Sequence, residues 1–129
     1  MELQSDLFSQ EDAARARMLA AVAAAAAQPP HHHNAPDTAQ AGAVAAAGRA
    51  PAQAVRVLLY LARRTQTHGG ATDWEGATAL DLLKSSYTAR RRALEKLHLV
   101  EDSGSRANSR FGTKNAIYRA TAPALAALQ

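Results

Sequence analysis

The pattern of apolar and polar positions changes near residue 50. Before it the apolar positions are mostly alanine; beyond position 54 the large apolar residues cluster and recur at regular spacing. Ser9-Gln10-Glu11-Asp12 reads as a helix N-cap followed by acids in the first turn, where they oppose the helix dipole. Alanine, the best helix former, then dominates to Ala27, and Pro29-Pro30 stop the helix. Met18, Leu19 and Val22 give it only a thin apolar stripe. It is therefore expected to lie in solvent, or to serve as a partner or self-association helix. Residues 29–50 read as a Pro/His/Ala-rich linker, expected to be disordered, punctuated by Pro29, Pro30, Pro36 and then Pro51 and loosened by Gly42 and Gly48.

From Pro51, which suits a first helical turn, a different pattern begins. Val55, Leu58, Leu59 and Ala62 follow the i, i+3, i+4, i+7 spacing of one buried face, with Arg56, Arg63 and Arg64 largely outside. Gly69-Gly70 end this helix. Thr72-Asp73-Trp74-Glu75 is a capping box opening a short helix to about Leu80, Ala77 and Leu80 facing inward. Asp81-Leu82-Leu83 makes the turn, Ser85-Ser86 precede a third helix ending at Leu97, and Tyr87, Leu94 and Leu97 share one face of it. Leu99–Glu101 and Ala116–Ala120 read as strands joined by a long polar loop, Asp102 to Asn115, which makes a β-hairpin with a flexible tip. Pro123 starts a short C-terminal helix, Ala124 to Leu128.

Composition narrows the class. With 129 residues, the chain has room for one core of about 65–75 residues plus tails. The absence of cysteine removes disulfides, thiolate metal sites and cysteine nucleophiles, and fits a reducing cytoplasm. Residues 1–48 carry two basic against five acidic side chains; residues 49–129 carry thirteen against six. A basic half of that density points to a polyanionic partner. The apolar run Met18–Ala27 is too short to span a bilayer and has an acidic upstream flank, so neither membrane insertion nor export is expected.

The order helix, short helix, turn, helix, hairpin is that of a winged helix-turn-helix. The expected fold class is thus mainly α with a small β-hairpin wing, preceded by the Ala-rich helix and the flexible linker. A helix entering a major groove needs small or hydrogen-bonding side chains near its start, as Ser85, Ser86, Thr88 and Ala89 provide. Arg90, Arg91 and Arg92 follow, spread round the helix, so that a guanidinium is expected to reach a guanine edge or a phosphate. Arg106, Arg110 and Lys114 of the hairpin loop are candidates for backbone or minor-groove contact.

The stretch Gly70–Glu75, Ser85-Ser86 through Arg90-Arg91, Leu94, Leu99–Gly104, Arg106, Arg110, Gly112, Ala116 and Arg119–Thr121 resembles small winged-helix proteins of bacteriophages and prophages. The likeness covers about residues 53–121 and extends more loosely to the winged domains of MarR-type regulators. It implies DNA binding in a bacterial host's cytoplasm, as a transcriptional regulator, and little more. Two positions depart from the pattern: Asp81 and His98 stand where such proteins usually carry glycine. Asp tolerates left-handed backbone geometry and His does so less well; His98 reads as a helix C-cap residue rather than a ligand.

Other constellations are weak. His31-His32-His33 are adjacent and unflanked by cysteine or clustered carboxylates, so low complexity explains them better than a metal site. Trp74 reads as packing at a helix start. No phosphate-binding glycine loop, zinc-protease motif or nucleophile elbow is present, and no acid is paired with a base. The expectation is a non-enzymatic protein without cofactor, metal or small-molecule substrate. It divides into an N-terminal arm (1–28), a linker (29–50), the winged domain (51–122) and a terminal helix (123–129). Its partners are double-stranded DNA and, for affinity, a second copy or another phage protein. The rival reading is a winged-helix docking module for phage replication or packaging proteins.

Overall fold

The computed structural model describes residues 2–27, 37–109 and 111–128, with the backbone alone over 2–12, at 27 and over 37–48. In chain order the elements are α1 (Glu2–Ala27), α2 (Asp37–His68), α3 (Asp73–Leu80), α4 (Lys84–Lys96), β1 (Val100–Asn108), β2 (Lys114–Ala120) and α5 (Ala122–Leu128). The chain is mainly helical with one small antiparallel hairpin. No helix among the described residues is long and apolar enough to cross a membrane.

Both N-terminal helices exceed their expected bounds. α1 starts at Glu2, so Ser9 lies inside the helix rather than at its start. Its thin stripe is not left in solvent: Val22 and Ala26, one turn apart, are buried in the core, and Met18 and Leu19 pack against it. From Asp37 onward the segment read as linker is the first part of α2, and Pro51 lies within that helix rather than at its start. Proline lacks the N–H for the carbonyl four residues earlier, at about 3 kcal/mol, but one proline and two glycines do not overcome so many alanines. His31–His33 and the proline pair before them fall outside the described residues.

The buried face of α2 is Ala50, Ala54, Val57, Leu58, Leu61 and Ala62. The expected face was turned by one position: Leu59 is 38% exposed and Val55 only partly buried. Tyr87 and Leu94 of α4, Ala77 of α3, Val100, Ala120 and Ala124 complete the core. Thr65 pins α2 to the hairpin, its hydroxyl donating to the Leu61 carbonyl at 2.6 Å and accepting the Ala120 N–H at 2.9 Å.

The α2–α3 connection adds a partner to the hairpin. Ala71 and Tyr118 exchange two backbone hydrogen bonds of 2.9 Å, so β2 is flanked by β1 on one side and by Ala71 on the other. Gly70 permits the approach: its φ is +133°, and a Cβ there would lie 2.3 Å from the Tyr118 carbonyl oxygen. The capping box forms as expected. Thr72 Oγ1 accepts the Glu75 N–H at 3.2 Å and Glu75 accepts the Thr72 N–H at 3.0 Å.

Asp81 and His98 are the non-glycine residues with left-handed backbone among those described, at φ 55° and 59°. They close α3 and follow the C-cap of α4, which explains why glycine would suit either place. Leu83 stands at the N-cap of α4 without a side-chain bond, and Ser85-Ser86 lie in the first turn rather than ahead of it.

The hairpin strands are longer than the sequence led us to expect. Pairing runs from Val100–Ala120 to Asn108–Lys114, with a bulge between Asp102 and Arg106. Most β1 positions are exposed, so the strand shows no alternation of apolar and polar residues. At the tip the Ser109 N–H donates to the Thr113 carbonyl at 2.7 Å.

Candidate nucleic-acid interface

α4 has two faces set by helical spacing. Tyr87, Arg91 and Leu94 are buried; Ser85, Ala89, Arg92 and Lys96, at i, i+4, i+7 and i+11, are exposed along one line. The first two residues of that line are small and the last two basic. Neither Arg92 nor Lys96 enters an ion pair among the described residues.

Arg91 is removed from this surface. Its residue exposure is 6%, and its guanidinium forks onto Asp73, Nε to Oδ1 at 3.0 Å and Nη2 to Oδ2 at 2.7 Å. Nη1 bonds Glu95, and the group lies 3.9 Å from the centre of the Tyr118 ring. Burial alone would lower the Arg91 pKa; the hydrogen bonds to Asp73 and Glu95 outweigh it and hold the value above the ordinary one. Thr88 is committed to the same carboxylate, donating to Asp73 Oδ2 at 2.9 Å. Asp73 is the first residue of α3, so this network fixes the two helices against each other.

The other expected contact residues divide. Ser86 is half-buried, and so is Arg90, whose Nε is buried without a hydrogen-bond partner among the described residues and whose pKa burial pushes down. Arg106 is exposed but held by Asp102 through two bonds, 2.9 and 3.1 Å. That bonding lowers the Asp102 pKa and raises that of Arg106. Lys114 is exposed and forms no ion pair among the described residues, whereas Arg119 pairs with Glu101 at 3.0 Å. Arg110 lies outside the described residues.

Thus Ser85, Ala89, Arg92 and Lys114 of the expected set are accessible and uncommitted. Lys96 was missed by sequence reasoning; its spacing of four from Arg92 was the available signal. Lys84 was missed too: its Nζ sits 4.9 Å from the centre of the Trp74 ring. Trp74, read as packing at a helix start, does stand in the first turn of α3 and is 51% exposed. It borders a cleft of about 530 Å³ walled by α3 with its cap (Thr72, Trp74, Glu75, Thr78) and, from the hairpin, by Ala107, Asn108, Ser109, Phe111 and Asn115. No group of three or more histidines, cysteines or carboxylates able to hold a metal exists among the described residues.

Comparison with protein-family models, with curated proteins and with solved structures gives no match to this chain.

Proposed function

We propose that the chain binds double-stranded DNA as a winged helix-turn-helix, without catalysing a reaction. α4 would enter the major groove and the hairpin would lie along the backbone. The observation that carries this reading is the single exposed line Ser85–Ala89–Arg92–Lys96. Small side chains in the first half allow the helix close to the base edges; two exposed cations in the second half reach phosphate or guanine. Lys114 supplies a further cation from the hairpin. The resemblance read in the sequence of residues 53–121 to small phage and prophage proteins is the ground for proposing a regulator in a bacterial cytoplasm. One module of this size binds modestly, so a second copy or a phage protein partner belongs to the proposal.

The test is fluorescence anisotropy of a labelled duplex titrated with protein across a salt series. Affinity is expected to fall steeply with salt, and Arg92→Ala and Lys96→Ala each to flatten the slope by about one. Absence of binding at low salt overturns the proposal and favours the docking module instead.

A further inference from the structure

The cleft between α3 and the hairpin tip lies apart from the line on α4, and its lining is unlike that line. Two large aromatic side chains border it while remaining open to solvent, Trp74 at 51% and Phe111 at 75% exposure. Asn108, Asn115 and Thr78 line it as well, so donors and acceptors of the kind that read a base edge stand beside the rings. A volume of about 530 Å³ lies within the usual range for a small-ligand pocket. The Lys84 ammonium on the Trp74 ring places positive charge at the margin. Glu75 is the one carboxylate in the lining, and it is held by the Thr72 N–H and by Arg64 at 3.0 Å.

We propose that this cleft takes an unpaired nucleobase, stacked on Trp74, so that the chain engages single-stranded DNA as well as duplex. Exposed aromatic rings beside a cation are how single strands are gripped without base pairing: every base offers a π face, and the cation meets the neighbouring phosphate. A base inside a duplex has both faces covered by its neighbours and cannot stack on Trp74. A flat, neutral ring with a polar edge matches the aromatic and amide lining; the Lys84 charge matches the phosphate attached to it. The cleft lining shares no residue with the α4 line, so each reading can fail alone.

Trp74 is the chain's single tryptophan, so its emission reports the site directly. The full chain is titrated with labelled oligothymidylate, with the same strand bearing abasic positions, and with a blunt duplex, following anisotropy and tryptophan emission together. Stacking predicts quenching by oligothymidylate, weaker binding and little quenching by the abasic strand, and little quenching by the duplex. Trp74→Ala is expected to weaken oligothymidylate binding about tenfold and Trp74→Phe to restore most of it. Because Trp74 is half-exposed, circular dichroism of both variants is expected to match that of the parent. Binding without quenching, equal binding of the abasic strand, or no binding of single strands at low salt each overturns the inference. Duplex binding that persists or vanishes in the same titration judges the α4 reading separately.

Discussion

Two adjacent arginines on α4 sit in opposite environments: Arg91 forks onto Asp73 at 6% exposure, and Arg92 faces solvent. Removing Arg91 would leave the Asp73 carboxylate, itself only 13% exposed, without its cationic partner and with the Thr88 hydroxyl alone. Truncating one member of a buried ion pair costs about 3–5 kcal/mol. Arg91→Ala is therefore expected to lower the stability read by urea unfolding by about 3 kcal/mol. Arg92→Ala is expected to stay within about 0.5 kcal/mol of the parent while weakening duplex binding. His98 permits a prediction of the other sign. A left-handed non-glycine residue costs about 1–2 kcal/mol, and glycine's extra freedom in the unfolded chain takes back roughly 0.5–1 of the gain. His98→Gly is thus expected to raise the unfolding free energy by about 0.5–1 kcal/mol; a decrease would mean that the imidazole makes a stabilising contact.

Between elements, the α3–α4 contact turns on Gly76 and Tyr87. A Cβ at Gly76 would fall within 2.1–2.3 Å of the Tyr87 ring, so the absent side chain is what lets the ring bury fully. The Tyr87 hydroxyl is buried with no partner among the described residues, and burial drives its pKa up. Leaving a buried hydroxyl unsatisfied costs about 1–3 kcal/mol, so Tyr87→Phe should raise the unfolding midpoint, by about 1 kcal/mol in stability. A loss would show that the hydroxyl is satisfied in solution.

Local signals made several parts of this arrangement legible. The Thr72/Glu75 capping box, the turn at Asp81 and the order of the last five elements can all be read from neighbouring residues. Signals that depend on distant partners could not be read that way. Arg91 looks like a DNA contact until Asp73, eighteen positions earlier, folds against it. The length of β1 is hidden because a hairpin strand with most positions in solvent needs no apolar alternation. At the start of α2, alanine propensity competes with Pro51, Gly42 and Gly48, and local reading overweights the breakers.

For the molecule as a whole, α1 is part of the core rather than an appendage. Val22 is 1% exposed and joins the cluster built by α2, α4 and α5. Val22→Ala removes two buried carbons, so thermal or urea unfolding should report a loss of about 2 kcal/mol. A negligible change would mean that the rest of the fold stands without this helix.

The bulge in β1 has a consequence beyond the hairpin's own shape. Among the described residues β1 pairs with β2 alone, so its other side offers backbone donors and acceptors to any passing strand. Asp102 breaks that row: it bonds the Gly104 N–H at 2.8 Å and clamps Arg106, leaving an irregular, charged border. Such a border is a poor template for adding a strand from another molecule, and so guards against sheet-to-sheet aggregation.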